Sequence, residues 1–379
     1  MVGIMFMGST VVTPLYGLYR QDFGFSGVVL TLIYSIYVVG NLIALLLFGR
    51  LSDQIGRRPV AALALIFAGL ATILFLLARG TPMLFAARSL SGFAIGLGSG
   101  TAAAWLAELQ PGSDAQAASR ATSLSNLLGL AIGPLMAGLL AQYAPAPLRL
   151  SYVIYLAMVA VLALFVLRTP ETVRARARWG GVSLKPRLGV PANIRLAFIA
   201  PATAAFAAFA LVGFYAALLP TILSTVLHQA NHAVGGAVVC ELFAVAAAAV
   251  PLTRRLSSRA AMNGGLVAML PGVGLLVAAE YAGSLALLLV AAAATGIAIA
   301  LSYRGTLAIV NQIAPEDRRA EVVSTYYVVM FLGNSVPVIG VGLLEQPLGL
   351  NGASVAFAGL IALFALAALA AGAHFRPRD

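Results

Sequence analysis

The stretch Gly49-Arg50-Leu51-Ser52-Asp53-Gln54-Ile55-Gly56-Arg57-Arg58-Pro59 places four charges in eleven residues. The runs on either side, residues 27–48 and 60–78, hold no ionisable side chain other than tyrosine. Each is long enough to cross a hydrocarbon core of ~30 Å as a helix. The stretch therefore reads as a tight, charged hairpin between two membrane spans.

The rest of the chain fits this reading. Only 9% of the 379 residues are charged and 61% are hydrophobic, with a mean hydropathy of +0.99. A soluble domain carries roughly 25% charged residues. At roughly 30 residues for a span and a short loop, the length suits about twelve spans with no soluble domain. The single Cys240 excludes an internal disulfide, and three scattered histidines offer no metal cluster. The first apolar run lacks the basic n-region of a cleavable signal peptide.

Apolar runs predict spans near 3–20, 28–49, 59–78, 82–107, 119–142, 150–167, 196–219, 232–252, 262–282, 284–308, 322–344 and 352–373. An arginine-rich linker, 169–193, separates an N-terminal six-helix bundle, 1–168, from a C-terminal one, 194–379. With the N-terminus inside, only Arg20, Arg79, Arg88 and Arg149 of the 23 lysines and arginines fall on the outer side. That bias predicts cytoplasmic termini; the expected location is the inner membrane of a bacterium. It accounts for the net charge of +11, so no nucleic-acid partner is expected. The halves echo each other at an offset near 204: Leu51-Ser52 with Leu256-Ser257, and Gly92-Phe93-Ala94-Ile95 with Gly296-Ile297-Ala298-Ile299. Repeats of this kind commonly flank a transport site.

Three motifs carry a resemblance. Gly49-x-x-x-Asp53-x-x-Gly56-Arg57-Arg58 resembles the signature loop of the major facilitator superfamily. Leu84-x-x-x-Arg88-x-x-Ser91-Gly92 is similar to that family's span-4 motif, with Ser91 where glutamine is usual. Gly129-x-x-x-Gly133-Pro134-x-x-x-Gly138 resembles the span-5 antiporter motif of its drug:proton exporters. The resemblance implies an all-α integral membrane fold of twelve helices in two pseudo-symmetric bundles. It also implies proton-coupled export by alternating access, and a part for Arg88 in proton coupling or substrate binding.

Elementary chemistry runs alongside. Gly49 and Gly56 permit close helix approach and a tight turn, Asp53 near the start of span 3 suits a helix N-terminus, and Arg57 is placed to bridge to Glu108. With Arg58, these residues form a candidate cytoplasmic gate. The counterpart at 254–259 lacks the acid and the glycine. Gly129, Gly133 and Gly138 allow tight packing around a kink at Pro134. Arg88, Glu241 and Arg304 are costly intramembrane charges and so candidates for proton coupling. Glu241 favours its protonated form unless a nearby arginine makes it a structural ion pair. Tyr34, Tyr37 and Asn41 share a helix face, and with Tyr303, Tyr326, Tyr327 and Asn334 are candidates to line a substrate cavity. Glu280 and Glu345 fall at outer span ends and are expected to be solvated.

The expected protein is a monomeric transporter in the lipid bilayer, moving small amphipathic molecules against protons, with no cofactor. The alternatives are uptake or exchange of a metabolite such as an organic anion, and a receptor or scaffold that does not transport. No nucleophile–base set supports an enzyme, and no nucleotide-binding P-loop is present.

Overall fold

Wherever the chain meets lipid, its backbone groups must be satisfied internally, and long apolar helices do this. The computed structural model describes residues 1–109, 115–173, 186 and 188–374. All five basic residues of the linker (Arg174, Arg176, Arg178, Lys185 and Arg187), together with Arg376 and Arg378, lie outside the described residues. The helices are α1 (Val2–Thr10), α2 (Tyr16–Phe23), α3 (Gly27–Phe48), α4 (Leu51–Ile55), α5 (Arg57–Leu76), α6 (Thr81–Leu109), α7 (Ala115–Tyr143), α8 (Pro147–Arg168), α9 (Arg195–Thr225), α10 (His232–Leu252), α11 (Ser258–Ala282), α12 (Leu285–Ile313) and α13 (Arg319–His374). No strand occurs among the described residues.

Eleven segments are long and apolar enough to span a membrane. The last is a double crossing, because α13 breaks at Gly349, whose φ of 69° is left-handed, just after Pro347. Glycine adopts that conformation without a Cβ clash. The turn expected between the eleventh and twelfth spans is thus one non-helical residue. The first crossing is broken too: α1 and α2 are joined by a 3-10 turn, Thr13–Leu15. Pro14 has no N–H to give the carbonyl one turn back.

The faces turned away from the protein are apolar. Ile66, Leu70 and Ile73 of α5, and Val161, Leu164 and Phe165 of α8, are exposed. Such large aliphatic surface is stable only in lipid. Interior faces are built instead from small residues, which let backbones approach closely. A Cβ added at Gly92 of α6 would fall 1.9 Å from the Tyr37 carbonyl oxygen of α3.

The chain divides into two compact units. Unit 1 comprises Met1–Phe25, Ile36–Pro186 and Asn231–Cys240; unit 2 comprises Ser26–Ser35, Arg187–Ala230 and Glu241–Asp379. Two helices, α3 and α10, therefore contribute to both. In unit 1, α5 packs on α6 and α8, and α1 on α7. In unit 2, α9 packs on α12 and α13, and its Ala204, Ala205, Ala207, Ala208 and Ala210 are wholly buried.

Candidate functional site

Positive φ at Gly56, 115°, turns the chain sharply into α5 and leaves that helix without a side-chain cap from its own N-cap residue. The four first N–H groups of a helix need acceptors. Glu171, just past α8, supplies them: its carboxylate accepts from Arg57 N at 2.9 Å and Arg58 N at 3.0 Å. A Cβ at residue 56 would lie 2.5 Å from that carboxylate. Asp53 does not sit at the start of span 3 as expected. It belongs to the short helix α4, and Glu171 takes the helix N-terminus.

Arg57 is buried at 8% exposure and gathers the surrounding acceptors. Its Nη2 donates to Glu108 Oε1 at 2.6 Å, and its Nε is 3.2 Å from both Glu108 oxygens. Nη1 reaches Asp53 Oδ1 at 2.5 Å and Ser52 Oγ at 2.7 Å. Thr172 Oγ1 donates to the other Glu108 oxygen, and Trp105 Nε1 donates to the Pro170 carbonyl at 3.1 Å. The contact between Arg57 and Glu108 is thus the centre of a larger set that ties α4, α5 and α6 to residues 170–173.

Glu171 was not among the sequence candidates. The available signal was its isolation, since it is the one acid between Arg168 and Arg187. Burial alone would raise its carboxyl, but backbone N–H groups of Val173, Arg57, Arg58 and Thr172 outweigh that and hold it below the ordinary 4.5. A depressed folded-state value gives stabilisation that is complete above the ordinary value and lost as pH falls through the folded one. The melting temperature in detergent is therefore expected to fall below about pH 4.5, and to fall less steeply for Glu171→Gln. Parallel curves for the two proteins would remove Glu171 from this role.

Arg88 of α6 does not snorkel; it is 1% exposed. Its Nη1 donates to the Ser9 carbonyl at 2.9 Å, in the last turn of α1, where carbonyls outrun their helical donors. The guanidinium carbon lies 4.7 Å from the centre of the Tyr37 ring, within cation–π range. The Tyr16 hydroxyl is also in contact with it.

The span-5 motif is packed along its length. A Cβ at Gly129 would be 2.1 Å from the Gly3 carbonyl, one at Gly133 2.4 Å from Thr10 Oγ1, and one at Gly138 2.6 Å from the His232 carbonyl. Pro134 presents its own carbonyl to Gly236. The first two glycines therefore face α1 and the third faces the start of α10.

The expected cavity residues fall in both units. Tyr34 donates to Asn334 Oδ1 at 3.1 Å, both in unit 2, while Tyr37 lies under Arg88 in unit 1. Asn41 is buried where α6 approaches at Gly96. Tyr326 is a core residue, fully buried, its hydroxyl 2.8 Å from Thr306 Oγ1. Tyr303 and Tyr327 are partly exposed beside Phe209 and pack against that core. Helical spacing reports a shared face but not which neighbour covers each turn of it.

Glu241 is half-buried in α10, and its Oε2 has no hydrogen-bond partner. Arg304 does not pair with it; Nη2 donates instead to the Leu256 carbonyl at 2.8 Å, after α10 ends. The solvated outer acids are overturned. Glu280 is only 3% exposed, and the Glu345 carboxylate lies against Gly27 of α3. Their places near span ends concealed the helices packed over them.

Among the described residues no cluster of histidine, cysteine or acidic side chains is able to hold a metal. The geometry is that of a helical membrane protein with buried charges and a charged, hydrogen-bonded turn. A model of the Major Facilitator Superfamily matches residues 1–260. Over 77 residues the chain is 35% identical to an uncharacterized transporter of Rickettsia felis, which is 20% of this chain and 19% of that one. The chain thus aligns with about a fifth of the length of this curated relative. Its fold is similar to a bacterial homolog of the human lysosomal transporter Spinster, in an inward-facing and unoccupied conformation, with TM-score 0.76 and 17% identity, covering 100% of this chain and 97% of that one. It is also similar to the nucleoside transporter NupG, with TM-score 0.77 and 16% identity, covering 98% of each chain. With the family model covering well over half its length and the fold agreeing throughout, the chain belongs to the Major Facilitator Superfamily and is a multi-pass secondary transporter.

Proposed function

We propose that this transporter exports small amphipathic compounds from a bacterial cytoplasm in exchange for protons, by alternating access. The observation that carries the reading is Glu241. A carboxyl near the middle of α10 with an oxygen left without a hydrogen-bond partner, and with Arg304 engaged elsewhere, is suited to take up and release a proton. The close packing of Gly129, Gly133 and Gly138 around Pro134 supports export, because a kinked, tightly seated helix hinders leak. The aromatic groups Tyr303, Tyr327 and Phe209 suit an apolar substrate with few polar groups. The Arg57–Glu108 set acts as a cytoplasmic lock, both termini are cytoplasmic, and a single chain forms the working unit.

Reconstitution in liposomes tests this. An imposed pH gradient is expected to drive flux of a cationic or neutral dye, with matching internal pH change, and Glu241→Gln is expected to abolish the coupling while leaving downhill exchange. Flux for organic anions alone would replace this reading with anion exchange, for which the buried Arg88 would be the binding charge. Full coupling in Glu241→Gln would remove Glu241 as the carrier.

A further inference from the structure

Glu280 lies in the last turn of α11, just before Gly283, which ends that helix with φ 58°. It is 3% exposed, and neither carboxyl oxygen has a hydrogen-bond partner. Beside it is another buried oxygen without a hydrogen-bond partner, Ser354 Oγ of α13, on a residue that is 0% exposed. Ser354 is the side chain that faces the carboxyl, and both residues belong to unit 2.

The helices packed on α11 are α9, α12 and α13. Their charged residues are Arg195 on α9, Arg304 on α12, and Arg319, Glu321 and Glu345 on α13; α11 adds Arg259, and the titratable tyrosines are Tyr215, Tyr281, Tyr303, Tyr326 and Tyr327. Every arginine in that set lies near the 254–259 end of its helix, many turns from Glu280. Among the described residues no cation is hydrogen-bonded to the carboxyl. An ionised Glu280 would also face the negative end of its own helix dipole. A buried carboxylate without a cation is strongly disfavoured, whereas the neutral acid is able to donate to a hydroxyl such as Ser354.

We propose that Glu280 is a proton-binding site of unit 2, at the end of α11 opposite the 254–259 loop. The ligand is a proton: when the site empties the acid O–H of Glu280 breaks and a water molecule takes the proton as hydronium, and when it fills a hydronium returns the proton to the carboxylate. The link to transport rests on the proton-driven reading above, but the occupancy of Glu280 does not.

Infrared difference spectroscopy of the purified, lipid-reconstituted protein, titrated in pH without any transport substrate, tests it. A carboxylic-acid C=O band that persists at neutral pH, shifts in D2O and is lost in Glu280→Gln is expected. No such band at neutral pH in the wild type, or a band that persists in a Glu280→Gln protein that elutes as the wild type does, would overturn the site. Bleaching of the band by sodium but not choline at fixed pH would also overturn it, because the ligand would then be a metal cation. Because no step of this measurement needs a transported compound, failure to find drug export leaves the result standing.

Discussion

Arg57→Ala is expected to raise about 30-fold the fraction of the transporter open at the end that carries the 49–59 loop. The guanidinium is buried and holds Glu108, Asp53 and Ser52 at once. Breaking a fully buried pair costs about 3–5 kcal/mol. The Asp53 side chain is 55% exposed and that of Glu108 36%, so water recovers part of this and about 2 kcal/mol remains. If the network exists only with that end closed, 2 kcal/mol is about 30-fold in the equilibrium. Labelling rates of reporter cysteines placed on α6 one turn inside Glu108, in a Cys240→Ser background, measure it directly. Arg57→Lys is expected to recover only part of the effect, since an ammonium does not span the same acceptors as a planar fork. Unchanged labelling in Arg57→Ala would sink the lock.

The second large effect concerns Arg88. Arg88→Met is expected to lose transport by more than about tenfold while keeping its melting temperature within a few degrees, since a buried charge replaced by an apolar side chain of similar volume is often neutral or stabilising. Arg88→Lys is expected to lose nearly as much transport, because an ammonium does not lie flat on Tyr37 while donating to Ser9. Tyr37→Phe keeps the ring face and is expected to stay near the wild type. Flux in liposomes and thermal unfolding, measured on the same preparations, separate the roles. If Arg88→Met transports normally, or if it unfolds in proportion to its lost flux, Arg88 is part of the scaffold and nothing more.

The contrast between Arg57 and Arg88 shows how much of the site was legible. Arg57 sits in a loop whose Gly-Asp-Gly spacing constrains the backbone, and the sequence pointed to Glu108 as its partner. Arg88 was conspicuous as a charge within an apolar helix, but its surroundings were not: Ser9 and Tyr37 come from other helices. Tyr34 and Tyr37, three residues apart on one helix, were expected to act together. The structure gives Tyr34 to Asn334 in unit 2 and Tyr37 to Arg88 in unit 1. Helix periodicity places side chains on a face, and the partner of that face changes along α3.

By itself the sequence determined that this is a twelve-span helical membrane protein with a charged turn after the second span. Those properties are local: hydrocarbon thickness sets the length of each apolar run, and internal hydrogen bonding makes each run a helix. Only the tertiary structure decided which acids are buried and what they meet. Glu171 caps α5 from 114 residues away, and Tyr34 reaches Asn334 across 300. Glu280 looks solvated in sequence, two residues from the end of α11, yet α13 and its neighbours bury it. Contacts at such separations depend on how helices pack, and no periodicity within a single helix encodes that.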